Sequence, residues 1–470
     1  MIYKNLNENI EKARLLLPVA ESYDILEKKY KIGGKDACFY FVDGFVKGSV
    51  MQRIMDFLYR INPVTMSGYK NAQDFIDHQF PYVEVETTNK WKDVIKELLS
   101  GKSILFIDGY EDAIFIDLRS YPSRNTEEPD KEKTLRGSKD GFVETLITNT
   151  ALVRRRIRDP KLIFKIKELG ERSKLDVAVG YIDDLVDREM LRIIEDKIDN
   201  LKIQSITMAQ QGLVEAITNS NILNPYPKVR YTERPDVAAA SILEGKIVIF
   251  VDNSPLAIIL PTSVFDFIQE AEDFYFPPVV GGYLRIVRNI FFISSFFIIP
   301  VWLFFINNEN LIPEWLEVIK ITEKSTIPLI IQILLLEFAI DGLKIASVNT
   351  PSSLVSSFSI IGALLLGEFA VKTGWFSPDT ILYMAIVALA NFAQPSVELG
   401  YALKFMRIIT TILTQFFGIY GLIGGTIFVV VLLCTTRAIN NKGYLYPLIP
   451  FNKKALAMVL LRKRIKADKK

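Results

Sequence analysis

The chain has 470 residues, of which half are hydrophobic and 23% are charged, and its formal net charge is +2. This composition excludes a disordered chain, a collagen and a disulfide scaffold, and the small net charge gives no global attraction to nucleic acid. The two cysteines, Cys38 and Cys434, lie near opposite ends of the chain and predict no disulfide framework, and a single histidine excludes most zinc sites. The mean hydropathy is positive despite the many charges, which predicts that the apolar residues are concentrated in one region.

Residues 1–289 are charged and predict a water-facing region, whereas residues 290–436 predict a membrane region. The first 20 residues are not expected to be a signal peptide, because their apolar run is short and charges interrupt the residues before it. The predicted fold class is therefore an α/β soluble domain followed by an α-helical multi-pass transmembrane domain.

The water-facing region contains an internal repeat. The segment GKSILFIDGYEDAIFI (101–116) aligns without a gap with GKIVIFVDNSPLAIIL (245–260), and DACFYFVDGFV (36–46) aligns with DVAVGYIDDLV (176–186). The first pair predicts strand, tight turn and strand, and the second predicts a buried strand followed by an amphipathic helix. Two aligned blocks in the same order favour duplication over chance and predict two repeated small α/β units.

A charged connector is predicted between the two copies at 121–141, followed by a helix within 141–162 that ends at Asp159-Pro160. The predicted domains are an N-terminal segment (1–30), a first α/β unit (31–120), the connector and helix (121–170), a second α/β unit (171–280), the transmembrane domain (281–436) and a basic cytoplasmic tail (437–470).

Apolar runs mark the predicted membrane helices, at 290–306, 327–340, 354–371, 380–393 and 408–435. Basic residues precede the first run and fill the tail, and the loop 307–326 is acidic, so both termini are predicted to be cytoplasmic. Five runs do not give the even number of crossings that this requires, so one run is predicted to be re-entrant or split. The last run is long, and Gly418, Gly421, Gly424 and Gly425 allow it to bend or to pack closely on a neighbour.

Ionisable and polar residues within or beside the apolar runs are the candidate functional residues. They are Glu337, Asp341, Lys344, Glu368, Lys372, Gln394 and Glu398. Charges in such runs are costly and normally face protein or water. One interpretation is therefore a lined aqueous path, and the other is a lock of paired charges between helices. For Lys372 a position at the membrane interface is favoured, and for Gln394 and Glu398 a plain helix stop is favoured over a pore mouth.

A dense basic cluster is formed by Arg154, Arg155, Arg156 and Arg158. We expect it to pair with the acidic connector or a neighbouring subunit, or to bind anionic headgroups; nucleic acid is not expected, because no aromatic residues are interleaved. The tail segment 453–466 is amphipathic, which suggests attachment to the inner leaflet.

No catalytic site is predicted. The GKS at 101–103 lacks the first glycine of a phosphate loop and precedes its strand, and His78 has no nucleophile elbow to accompany it. The sequence therefore predicts no enzyme, no cofactor and no metal site.

Four longer segments resemble the A-subunit family of bacterial spore germination receptors (the GerA family). They are FIDGYEDAIFIDLRSYPSRNTEEP, LRGSKDGFVETLITNTALVRRRIRDPKL, NPYPKVRYTERPDVAAASILEGKIVIFVDNSP and GEFAVKTGWFSP. Three shorter segments, KIGGKD, FAQPSVELGYALKFMR and YLYPLIPFN, resemble one branch of that family.

The resemblance implies a multi-pass protein of the spore inner membrane that forms a homo-oligomer, expected to be a pentamer, and acts as an ion channel in germination. The branch implies release of monovalent cations and amplification of germination, beside the dipicolinate channel proteins and with a small membrane partner. The alternative function is a non-conducting scaffold or nutrient-sensing receptor subunit that recruits other germination membrane proteins.

Overall fold

The computed structural model describes residues 1–121, 137–201, 203–206, 208–218, 224–323, 325–349, 369–436, 439 and 443–460. The chain forms two compact units, the α/β unit (Met1–Asn219 and Val229–Pro261) and the helical unit (Ser220–Lys228 and Thr262–Lys470).

The α/β unit contains two sets of helices and strands. The first set is α1 (Leu6–Leu16), β1 (Ile25–Ile32), β2 (Lys35–Val42), α2 (Gly48–Tyr59), α3 (Pro63–Ser67), α4 (Ala72–Gln79), β3 (Val85–Thr88), α5 (Trp91–Leu99), β4 (Ser103–Ile107) and β5 (Ala113–Ile116). The second set is α6 (Leu146–Arg156), β6 (Leu162–Leu169), β7 (Leu175–Ile182), α7 (Arg188–Asp199), α8 (Ala209–Ile217), β8 (Arg230–Thr232), α9 (Pro235–Leu243), β9 (Ile247–Val251) and β10 (Ala257–Leu260).

Each set forms one antiparallel five-stranded sheet. The strand orders are β1-β2-β4-β5-β3 and β6-β7-β9-β10-β8, so the two sheets have the same topology. In the first sheet, Cys38 and Phe106 face one buried cluster, whereas Phe39 and Leu105 face another. Because successive side chains of a strand point to opposite faces, burial of both faces explains why these strands read as uninterrupted apolar runs.

The two copies also share hydrogen bonds at equivalent positions. The Asp108 carboxylate accepts from the Leu6 backbone N–H at the start of α1, and Asp252 accepts from Leu146 at the start of α6. In the turns that follow these aspartates, Gly109 and Asn253 have φ of +88° and +59°, a region that glycine and asparagine adopt most readily. The segments that align in the sequence therefore form the same local structure.

Two predicted boundaries need correction. The first sheet begins with β1 at Ile25, so a limit between residues 30 and 31 cuts this strand, and a limit at 170 assigns β6 to the connector. Both are edge strands in which charged residues interrupt the apolar ones, ILEKKYKI and LIFKIKEL, and they lack the continuous apolar run of the central strands. The predicted helix within 141–162 is shorter, Leu146–Arg156, and the amphipathic helix predicted after the strand within 176–186 is Arg188–Asp199.

The helical unit is built from helices of unequal length. They are α10 (Glu272–Tyr275), α11 (Pro278–Asn307), α12 (Leu329–Asn349), α13 (Ala370–Lys372), α14 (Pro378–Phe392), α15 (Val397–Phe417), α16 (Ile419–Thr435) and α17 (Lys453–Leu460). Short 3-10 helices lie at Val264–Phe267, Glu309–Leu311 and Glu314–Ile319.

The long apolar run at 408–435 is split at Gly418. This glycine has φ of +56° and separates α15 from α16, which then pack against each other. A Cβ on Gly421 would lie 1.9 Å from the Leu413 carbonyl oxygen, and one on Gly425 would lie 2.8 Å from Thr410. The order of these contacts shows that α16 runs back along α15, with glycines where the two helices are closest.

Among the described residues, α11 is the helix that is long and apolar enough to cross a membrane, and α14 and α16 are apolar but shorter. Both α12 and α15 have 21 residues, but each carries three charged side chains. The candidate site lies among these charges.

Candidate functional site

Charged side chains from two helices meet inside the helical unit. On α12, Glu337, Asp341 and Lys344 recur at the spacing of one helical face, and on α15, Lys404 and Arg407 lie three residues apart. Apolar side chains from α11, α12 and α14, among them Trp302, Ile333 and Met384, form a buried cluster in the same unit. The charges are thus held between helices of largely apolar composition.

Glu337 is the centre of this network. Its side chain is 5% exposed, and Oε1 lies 2.8 Å from Arg407 Nε and 2.7 Å from Arg407 Nη2. Its Oε2 lies 3.2 Å from Lys404 Nζ. Arg407 also donates to the Ser295 carbonyl oxygen of α11 at 2.5 Å. One arginine therefore connects three helices, and both oxygens of Glu337 face cations.

Lys404 connects the two carboxylates of α12. Its Nζ lies 2.6 Å from Asp341 Oδ2 and donates to the Glu337 carbonyl oxygen at 2.8 Å. Asp341 keeps 32% of its side chain exposed, in contrast to Glu337. Lys344 lies over the ring of Tyr401, with Nζ 4.6 Å from the ring centroid.

These residues border a cleft of about 170 Å³ between α12, α14 and α15. Gln394, which follows α14, lines the cleft and is 7% exposed. Within the part of the chain that the structure describes, neither polar atom of its amide has a hydrogen-bond partner, and the same holds for Asn391 Oδ1. The cleft thus combines paired charges with buried amide atoms that have no hydrogen-bond partner among the described residues.

The structure brings four of the predicted candidates together, Glu337, Asp341, Lys344 and Gln394. Lys372 and Glu398 are exposed and do not line this cleft. Glu368 lies outside the described residues, so its role stays a prediction. The observed contacts of Glu337 are those of paired charges between helices. Asp341 and Lys344 also line the cleft and are partly exposed.

Sequence reasoning missed Lys404 and Arg407. They lie in α15 and are the partners of Glu337 and Asp341. Two basic residues on one face of an otherwise apolar helix were the available signal. They lie just before the apolar run at 408–435, where basic residues are typical of the end of a membrane helix. In the structure they lie inside α15.

The arginine cluster of the α/β unit needs a correction at Arg154. This side chain is fully buried, and its guanidinium donates to both carboxylate oxygens of Asp24, at 2.7 and 3.0 Å, and to Ser22. It therefore connects the two copies of the repeat, and a group without exposed surface cannot reach a headgroup or a second subunit.

The other three arginines of the cluster are less buried. Arg156 bonds Asp140 and Ser138, Arg155 lies over the Tyr121 ring, and Arg158 is exposed. Their predicted contacts with a subunit or a headgroup stay predictions, and the acidic residues of the connector, Glu127, Glu128, Asp130 and Glu132, lie outside the described residues.

His78 lies on the surface of α4, where its Nδ1 is 2.9 Å from the Asp74 carbonyl oxygen and its ring stacks on Tyr69. Among the described residues, no group of three or more histidine, cysteine or acidic side chains is arranged to hold a metal ion.

Comparison with known proteins gives a consistent set of relatives. A family model described as "Bacillus/Clostridium GerA spore germination protein" matches residues 14–470. Stage V sporulation protein AF of Bacillus subtilis (strain 168) is 38% identical over 461 residues, which cover 98% of this chain and 93% of that protein. Spore germination protein KA of the same organism is 28% identical and covers 100% of this chain and 86% of its own length.

A solved structure is similar to the N-terminal part of the chain. It is the crystal structure of the N-terminal domain of the A subunit of the Bacillus megaterium spore germinant receptor GerK3, which is 26% identical. The match covers 55% of this chain and 95% of that one, with a TM-score of 0.39.

Proposed function

The chain belongs to the Bacillus/Clostridium GerA spore germination protein family, and from this premise we propose that it is a membrane subunit of a spore germination complex whose copies assemble into an ion channel. The resemblance predicted from the sequence is confirmed, including the similarity to stage V sporulation protein AF. We take the transported ions to be monovalent cations, as the resemblance implies.

The observation that carries the channel proposal is the polar cleft among apolar helices. A charge in the apolar part of a membrane is costly, so such residues generally mark a path for ions or a paired contact. Glu337 and Arg407 pair with each other in one chain. Asp341 and Lys344 are partly exposed, and Gln394 beside them has no hydrogen-bond partner among the described residues. A cleft with these properties offers water and ions a route that apolar packing does not.

We propose a multi-pass topology with both termini in the cytoplasm. The five apolar runs of the sequence become six segments if the run that breaks at Gly418 crosses twice. Six crossings return the chain to its starting side, in agreement with the basic residues that flank the first run and fill the tail. The proposed location is the spore inner membrane.

The proposed partners are further copies of the chain, in a pentamer, together with a small membrane protein and the dipicolinate channel proteins. Support for these partners comes from the family resemblance, and the relatives carry names of spore germination proteins.

The test is current across a planar bilayer that contains only the purified chain, with the oligomer counted on the same sample. We expect cation current, and we expect Asp341→Asn to reduce it while the oligomer is retained, because this carboxylate faces the cleft and is partly exposed. Lys453→Gln, a charge change on the exposed side of α17, is the control. A well-assembled oligomer without current would overturn the channel.

A non-conducting scaffold is the second candidate function. The observation in its favour is that Glu337 and Asp341 pair with Lys404 and Arg407 within one chain, as in a structural lock. The duplicated α/β unit, which is larger than a pore requires, adds a surface for recruiting other proteins. If the chain is such a scaffold, we expect no current in the bilayer and co-purification of other germination membrane proteins.

A further inference from the structure

The amide groups in the cleft lack the partners that buried polar atoms normally have. Gln394 is 7% exposed, yet its donor Nε2 and acceptor Oε1 are both unpaired among the described residues, as is Asn391 Oδ1. Most buried polar groups are hydrogen-bonded, and leaving them unpaired costs free energy. A ligand that both donates and accepts hydrogen bonds would satisfy these atoms.

The charges that line the cleft select the sign of such a ligand. Among the described residues, two carboxylates and three cations line it, so their charges sum to +1. Arg407 faces Glu337 and Lys404 faces Asp341, which leaves Lys344. In the described part of the chain, no carboxylate lies within 4 Å of its ammonium group, which contacts the Tyr401 ring. In surroundings of low polarity, a single unneutralised cation favours an anion.

The size and walls of the cleft limit that anion to a small organic molecule. An engineered cavity of about 150 Å³ in another protein binds benzene, which has six heavy atoms, so a cleft of about 170 Å³ has room for a ligand of similar size. Met384, Val387 and Phe392 provide apolar wall beside the polar groups. A few carbon atoms would contact this wall, whereas a bare inorganic ion would not.

We propose that the cleft binds a small organic carboxylate that also carries a hydroxyl or similar donor. Lys344 pairs with the carboxylate, Gln394 Nε2 donates to it, and Asn391 Oδ1 accepts from the donor group of the ligand. The proposal goes beyond ion conduction and does not depend on it, because binding is measured without current. An anion paired with Lys344 would also remove the excess positive charge that opposes a cation in the same cleft.

The probe is lactate, which has six heavy atoms, one carboxylate and one hydroxyl. Thermal unfolding of the purified full-length chain in lipid nanodiscs is followed as lactate is added, since a ligand of the folded state raises the midpoint with concentration. We expect a saturable rise, and we expect Lys344→Gln to weaken the apparent affinity at least about tenfold, as loss of a charge-assisted hydrogen bond does. Lys454→Gln, which removes the same charge from exposed α17, is the matched control.

Gln394→Leu provides a second variant with a distinctive signature. Because it removes a buried amide without partners, we expect it to raise the unfolding midpoint of the ligand-free chain while reducing the response to lactate. A residue that only ends a helix would give neither change.

The comparison ligands separate the alternatives. Chloride tests an inorganic anion, glycerol a neutral polyol and ethylammonium a cation, each at the concentrations used for lactate. The proposal is overturned if any of the three raises the midpoint as much as lactate does. It is equally overturned if lactate has no effect, or if Lys344→Gln responds as the unaltered chain does.

Discussion

The α/β unit and the helical unit place their charges in opposite ways. In the α/β unit the central strands are buried and apolar, and most charged side chains are on the surface. In the helical unit large apolar side chains such as Phe338, Phe416 and Tyr420 are 76–82% exposed, whereas Glu337 and Arg407 are buried. A surface of this kind suits contact with lipid, which has no hydrogen bonds to offer to charged groups. The difference supports the proposal that the helical unit lies in a membrane and the α/β unit in water.

Both units nevertheless contain buried arginines that are paired with carboxylates, among them Arg154 and Arg407. Arg154 and Asp24 join the two copies of the repeat, and Arg407 and Glu337 join helices. The desolvation of two buried charges offsets much of their attraction, but removal of one partner leaves the other charge unpaired at a high cost. The pairs therefore specify which elements meet, whatever solvent surrounds the unit.

The largest effect is expected at Arg154. Arg154→Ala leaves Asp24 buried without its cation and opens the contact between the copies, which should destabilise the α/β unit by about 3–5 kcal/mol. The measurement is hydrogen-exchange mass spectrometry of the full chain, in which peptides from β1 and β6 should lose protection while α14 does not. Unchanged protection of both strands would show that the pair does not join the copies.

Glu337→Gln tests the corresponding pair in the helical unit. We expect a loss of about 3 kcal/mol, because Arg407 is then buried opposite a neutral amide. The readout is the unfolding midpoint and oligomer yield in nanodiscs, with the partly exposed Asp341→Asn as a control of smaller effect. If Glu337→Gln keeps its stability and changes only ion selectivity, then the lock interpretation is wrong for this residue.

Gly421→Ala tests how closely α15 and α16 pack. A methyl group there would meet the backbone of Leu413 at 1.9 Å, so the helices must separate, at a cost of roughly 1–3 kcal/mol. Gly424 has nothing within 4 Å of an added Cβ, which makes Gly424→Ala the matched control, neutral or slightly stabilising. Equal unfolding midpoints for the two variants would contradict the close approach.

The smallest effect is expected at Arg14, which corresponds to Arg154 in the first copy but is exposed. It pairs with Glu27, and such surface pairs contribute little. Burial tends to raise the pKa of Glu27, but hydrogen bonds from Arg14 and Tyr40 outweigh this and hold the pKa below its usual 4.5.

A depressed folded-state pKa contributes stability above the unfolded value, which is lost as the pH falls through the folded value. The small deficit of Arg14→Ala at pH 7 should therefore shrink below pH 4.5. A deficit that grows on acidification would contradict the pairing, and unfolding curves at pH 7 and at decreasing pH decide this.

The repeat, the apolar runs and the family were all predicted from the sequence, because each is defined by the order of neighbouring residues along the chain. The strands 103–107 and 247–251 follow from their apolar runs and the glycine turns around them, and duplication places the same pattern twice. The same applies to the helices of the last run, where glycine marked the possible bends. The tertiary structure shows that the chain bends at Gly418 and that Gly421 and Gly425 pack against α15. The sequence did not predict these separate roles, because they depend on the neighbouring helix.

The partners of the charges were decided by the tertiary structure alone. Glu337 meets Arg407, 70 residues away, and Arg154 meets Asp24, 130 residues away. Helical periodicity shows which residues share a face of one helix, but it does not show which other helix covers that face. Arg14 and Arg154 stand at equivalent positions of a duplicated pattern, yet one is exposed and the other is buried, because only the second faces the other copy. Burial, and with it the energy of a charge, is a property of the packed chain and not of its local sequence.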